Sequence, residues 1–159
     1  MKRAIVFLSI ILASGLTAVT VYNTLVDAQS WGAEIPTSIQ VARDYYKHVD
    51  PRYFYLIVGP INQLLILLAI ILFWKHSQLR LYFIGSFLLY AAIIILTITY
   101  FVPRDIILFT WPIEQHIEDI RAASTEWWQM NWLRTLLGLG GVFLSIKGLD
   151  GYYRARFAA

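Results

Sequence analysis

The chain has 159 residues, enough for one domain, here taken as residues 1–159. With 58% hydrophobic and 14% charged residues and a mean hydropathy of +0.60, it has too few charges to cover a globular surface in water, so lipid must solvate it. The absence of cysteine excludes disulfides, thiolate metal sites and thiol nucleophiles, and the net charge of +3 reads as membrane orientation rather than as an acidic or nucleic-acid partner.

Four apolar runs are long enough to cross a bilayer, at about 4–26, 54–74, 81–102 and 127–146. The first begins like a signal peptide, with Lys2-Arg3 before AIVFLSIILA. It then continues past the usual length with no clean small-x-small cleavage site, so a retained helix is expected. The predicted fold is all-α, an integral membrane four-helix bundle.

Lys and Arg set the orientation. With the N-terminus inside, the short inner segments hold Lys2, Arg3, Lys75, Arg80, Lys147, Arg154 and Arg156. The longer outer loops hold Arg43, Lys47, Arg52, Arg104 and Arg121. All acids but Asp150 fall in or beside the outer loops. Both termini are therefore expected in the cytoplasm. The short WKHSQLR link makes the second and third spans antiparallel neighbours, and the long outer loops are where function is expected to collect.

Helical neighbours recur at three and four residues. On the fourth span this gives Trp127, Asn131, Arg134, Gly138, Gly141 and Ser145, a face that is polar or small throughout. The first span gives Ser9, Ala13, Leu16, Thr20, Asn23 and Asp27. The third gives Tyr82, Ser86, Leu89, Ile93, Thr97 and Tyr100, and the second carries Gly59, Asn62 and Gln63. Small residues permit close helix approach, and polar ones bond across helices. Asn23, Asn62, Tyr100, Asn131 and Arg134 are expected at one level, within two or three turns of the outer ends.

Arg134 carries the sharpest question. An arginine at the bilayer centre costs about 2.5 to 3.5 kcal/mol even on the lenient scale. It either ties helices together, through Asn62, a carbonyl or an acid such as Asp105, or it supports a ligand or an anionic intermediate. Pro60 inside the second span removes one backbone bond. That serves either a packing kink or the opening of an outer pocket.

The second outer loop, PRDIILFTWPIEQHIEDIRAAS, predicts a short helix from Pro112. Its apolar stripe is Ile113, Ile117 and Ile120, and it is expected to lie on the membrane surface. Glu114 and Glu118 turn away from His116, so E-x-H-x-E is no metal triad. Asp119 is the acid that would orient His116, either as a general base at the bundle mouth or as an interfacial histidine without chemistry. His48 and His76 fall on opposite sides, and no metal site is expected. Trp31, Trp111, Trp127, Trp128 and Trp132 gather at the outer level, as belt residues or as the wall of a pocket for a flat apolar ligand. There is no nucleotide loop, Ser-His-Asp spacing or haem motif.

The order of motifs is Gly59-Pro60-x-Asn62 in the second span, YFVPRDIILF after the third, a long acidic loop, and W-x-x-x-N-W-x-R opening the fourth. The last is carried by Trp127 or Trp128 with Asn131, Trp132 and Arg134. This order resembles the anthrone-oxygenase-like family of small four-span membrane proteins, across most of the chain. One departure is Pro103-Arg104, where the family usually has proline-asparagine. The resemblance implies oxidation of an anthrone to an anthraquinone by dioxygen with no cofactor, in a bacterial inner membrane. On that reading His116 is the base, and Arg134 and Asn131 stabilise the oxyanion. Asn62, Tyr100, Trp128, Trp132 and Asn23 line the substrate. Membrane lipid is the expected partner, and an oligomer is open. The competing classes are a non-enzymatic binder of lipid or a quinone-like molecule, and a structural or partner subunit.

Overall fold

A computed structural model describes residues 2–157, with side chains described through Arg154. Arg156, counted above among the inner cations, lies outside the described side chains. The described residues form five helices and no strand. They are α1 (Lys2–Gly32), α2 (Thr37–Tyr46), α3 (Arg52–Leu72), α4 (Ser77–Thr110) and α5 (Ile117–Phe157). Four of them, all but α2, are long and apolar enough to cross a membrane. The expected integral four-helix architecture is present. Because α1 is one continuous helix, the termini gather at one end of the bundle and the two long connections at the other, called here the long-loop end.

Two of the spanning helices change pitch part-way. In α1 the segment Asn23–Asp27 is π-helical, with the Ala28 N–H reaching back to the Asn23 carbonyl. In α4 the segment Thr97–Phe101 is π-helical, with the Val102 N–H bonding the Thr97 carbonyl. An extra residue in a turn rotates every later side chain around the axis. The stripes stepped from the sequence miss the buried face by one residue already before these points, because a 3.6-residue period allows a step of either three or four. In α1 the buried stripe is Val6, Ser9, Ala13, Thr17, Thr20, Thr24 and Ala28, with Thr17 and Thr24 in place of Leu16 and Asn23. In α4, Tyr90 and Phe101 are buried where the 3–4 stepping selected Leu89 and Tyr100.

The expected separate helix from Pro112 is corrected. Residues 112–116 form a turn, and from Ile117 the chain runs as one helix into the fourth span. Nothing between Ser124 and Asn131 breaks helical geometry, and Ile120, Ala123 and Trp127 continue one buried stripe. The amphipathic loop segment is thus the first turns of α5.

The glycine face of α5 is the seam of the bundle. A Cβ on Gly138 would lie 2.8 Å from Thr17 Oγ1, one on Gly141 2.5 Å from Tyr90 Cε2, and one on Gly148 2.6 Å from Phe83 Cζ. Each glycine admits a side chain from α1 or α4 against the α5 backbone. Ser86 Oγ donates to the Gly141 carbonyl at 2.9 Å and meets Ser145 Oγ at 2.8 Å. Tyr90 Oη donates to the Gly138 carbonyl at 3.2 Å.

Apolar contacts form two separate cores. One, near the termini, centres on Val6, Ile66, Phe73 and Phe83. The other, at the long-loop end, centres on Trp31, Ile39, Phe101, Leu108, Ile120 and Trp127. The helix α2 closes this end. Its Arg43 donates from Nε and Nη2 to the Leu108 carbonyl at 2.8 and 2.5 Å, and from Nη1 to the Trp111 carbonyl at 2.8 Å. These are carbonyls that the end of α4 leaves unpaired. Tyr46 of α2 packs edge-on against Trp31 and Phe109. Burial, then the Asp27 charge, push its phenol up to about 12, so it is neutral at physiological pH.

Candidate functional site

Between the two apolar cores lies a layer of buried polar side chains. Thr20 and Thr24 come from α1, and Asn131, Arg134 and Thr135 from α5. Thr24 and Phe101, both beside this layer, lie within the π-helical segments of α1 and α4. Such turns recur at functional sites because they aim side chains that regular helix would turn away.

Asn131 is fully buried. Its Nδ2 donates to the Thr20 carbonyl at 3.1 Å and to Thr24 Oγ1 at 2.6 Å, while its Oδ1 has no partner. One turn further along α5, Arg134 is 7% exposed. Its guanidinium carbon lies 4.2 Å from the Phe101 ring centre, 5.2 Å from Trp127 and 5.8 Å from Tyr55. Nε and Nη2 are buried with no hydrogen-bond partner among the described residues, and no carboxylate stands within ion-pair distance. Ring faces hold the cation without using up its N–H donors. The indole N–H of Trp128 and the hydroxyl of Thr135 are also buried without a partner.

Two networks flank Arg134. In the amide orientation that satisfies all its neighbours, Asn23 donates to Asp27 Oδ2 at 2.9 Å and to the Val19 carbonyl at 3.0 Å. It accepts from the Tyr55 hydroxyl at 2.9 Å. On the other side, Trp127 Nε1 donates to Asp105 Oδ1 at 2.9 Å. The layer therefore holds a cation with free donors, three aromatic faces and two carboxylates, Asp105 one residue removed through Trp127 and Asp27 two removed through Tyr55 and Asn23.

The structure brings together Arg134, Asn131 and Asn23 from the set selected on sequence, while Trp128 packs against the long-loop core. It does not bring in the others. His116 precedes the first turn of α5, about 25 Å along that helix from Arg134. There its ring lies 4.7 Å from that of Trp111, tilted by 57°, and it pairs through Nδ1 with Asp119 Oδ2 at 3.0 Å, the orienting acid expected for it. Asn62 accepts from Ser9 Oγ at 3.4 Å, about 10 Å along α3 from Tyr55, in a lower layer. Tyr100 is half-buried against the long-loop core, with the Arg104 guanidinium 3.4 Å from its ring centre and Arg104 paired to Glu126 at 2.6 Å. Trp132 is 40% exposed on the lipid-facing side.

Sequence reasoning missed Tyr55, Phe101, Thr20 and Thr24 as site residues, and it weighed Asp105 only as a strap for Arg134. Tyr55 sits seven residues before Asn62, the same helical face two turns nearer the loops, and that spacing was the available signal. The open groove of about 260 Å³ at this end lies outside the layer, between Pro103, Arg104, Trp111, Asp119 and Glu126. Among the described residues, no three His, Asp or Glu side chains gather as a metal site.

A family model described as anthrone oxygenase matches residues 53–144, more than half of the chain. The match takes in Tyr55, Phe101, Asp105, Trp127, Asn131 and Arg134, and leaves out α1. No curated protein and no solved structure matches the chain.

Proposed function

Because the chain belongs to the anthrone oxygenase family, we propose that it binds a flat anthrone-type molecule at the Arg134 layer and oxygenates it with dioxygen, without an organic cofactor. The observation that carries this reading is the Arg134 guanidinium, buried against three rings with two donors free. Donors fixed in advance around a developing oxyanion are the strongest single device for stabilising it, because no reorganisation is needed when the charge appears.

An anthrone methylene is acidic because its electron pair delocalises onto the ring carbonyl. Arg134 receives the negative oxygen through its free donors. Asn131 is held by Thr20 and Thr24 and keeps that face of α5 in register. Phe101, Trp127 and Tyr55 supply the apolar faces for the ring system. The electron-rich carbon then takes dioxygen. The balance closes with no outside reductant: the methylene loses two hydrogens and gains one oxygen atom, and the second oxygen leaves as water. An apolar substrate enters from lipid between the helices. The termini lie in the cytoplasm and the site in the outer half of a bacterial inner membrane, on the strength of the Lys and Arg distribution.

His116, Asn62, Tyr100 and Trp132 have no part in this site. The test is oxidation of an anthrone under heavy-isotope dioxygen. One labelled atom in the new quinone carbonyl is expected. Tight binding of anthrone with no label incorporated would instead favour a non-enzymatic carrier of a quinone-like molecule.

A further inference from the structure

Resting on that reading, one group is still needed: a base that takes the methylene proton beside Arg134. His116 is about 25 Å away along α5 and cannot serve. We propose that Asp105 is the proton-accepting residue, held in place by the Trp127 indole.

Asp105 sits on α4 one turn beyond Phe101, on the long-loop side of the layer. Trp127 touches both halves of the chemistry. Its N–H binds Asp105 Oδ1 at 2.9 Å, and its ring lies 5.2 Å from the Arg134 guanidinium carbon. One carboxylate oxygen is thereby fixed and the other is left for a proton. Asp44, Asp50, Glu118, Asp119 and Glu126 are each taken by a basic partner. Asp105 has none within ion-pair distance among the described residues. The charged groups facing it are Arg134 from α5, and Arg52 and Asp50 at the start of α3.

The step balances. The C–H bond breaks, its electron pair passes to the carbonyl oxygen facing Arg134, and the proton goes to Asp105. Dioxygen takes that electron pair in a new C–O bond, and its distal oxygen receives the proton back from Asp105. The hydroperoxide then loses its second C–H proton to Asp105 as the O–O bond breaks. The carbonyl forms, and the released hydroxide takes the proton to leave as water. Asp105 ends as it began.

Solvent-deuterium exchange at the anthrone methylene, followed by NMR without oxygen, isolates the proton transfer. Asp105→Asn is expected to slow protein-catalysed exchange by about a hundredfold or more, the usual contribution of a positioned base. Affinity for anthraquinone, which has no such proton, is expected to stay within about twofold, since Asn keeps the acceptor for Trp127. Asp105→Glu is expected to restore part of the exchange. Exchange by Asp105→Asn at the wild-type rate, or loss of anthraquinone binding together with exchange, would overturn the assignment. If oxygen uptake nevertheless depends on Arg134, the oxygenase reading stands and Asp105 alone is wrong. A wild-type protein with neither exchange nor uptake would remove both.

Discussion

Replacing Arg134 by methionine separates a helix strap from a ligand site. Arginine tying helices together would be bonded to them, and its loss would unfasten the bundle. Here Nε and Nη2 are unpartnered, and the cation is held by rings alone. Burying the charge costs about 2.5 to 3.5 kcal/mol near the middle of a span. The ring contacts return about 0.5 to 2 kcal/mol each, so the two effects nearly cancel. Methionine has a similar length, no charge, and sulfur–aromatic contacts worth about 0.3 to 1.5 kcal/mol each to the same rings. Arg134→Met should therefore leave stability unchanged or raise it by about 1 to 3 kcal/mol. For a chain of this size that is a rise of roughly 2 to 10 °C in melting midpoint. The assay is thermal unfolding in detergent, followed by tryptophan fluorescence beside wild type. A fall of more than about 2 kcal/mol would refute the reasoning, because it would mean that the guanidinium holds the fold.

Gly141→Ala places a methyl 2.5 Å from Tyr90 Cε2 and should cost about 1 to 3 kcal/mol in the same assay. Gly15→Ala, with nothing within 4 Å, should cost nothing or stabilise. Asn131→Leu removes donors at 2.6 and 3.1 Å and should lower stability by about 1 to 3 kcal/mol, read from the same melts. Asp50 accepts from the Arg52 N–H at 2.8 Å and from its Nε at 2.7 Å, and Arg52 holds its carboxyl below the usual carboxylate range. A depressed value in the folded state means stability present above the ordinary carboxylate value and lost as pH falls through the folded one. Melts of wild type and Asp50→Asn should therefore differ at neutral pH, by less than about 1 kcal/mol for so exposed a pair, and converge in acid.

The spans were legible because apolar length is a strong signal and lipid leaves few alternatives. The glycine seam was legible too, since Gly138, Gly141 and Ser145 keep strict helical spacing on a helix that stays regular. The site was legible only where helices kept that spacing. Arg134 and Asn131 share a regular stretch of α5 and both lie on its buried face. Tyr100 and Phe101 were exchanged because the stepping took three residues from Ser86 to Leu89 where the buried face takes four to Tyr90, and the offset carried on to the end of α4. Thr24 was lost in the same way, by a step of three from Thr20 to Asn23 where the buried face takes four. His116 was drawn toward the bundle by a loop helix that the chain does not form. Once Ile117–Phe157 is one rod, His116 is carried to its far end. Asn62 was read by depth along its own helix, but its level is set by Ser9 across the bundle, which one sequence does not reveal.

The most direct test of the central claim is oxygen uptake by purified protein given a soluble anthrone, corrected for autoxidation, with Arg134→Met beside wild type. The account predicts uptake by wild type and a loss of a hundredfold or more, about 3 kcal/mol of transition-state stabilisation, in a variant that melts no lower. Uptake by Arg134→Met equal to wild type, or no wild-type uptake above background, would contradict it.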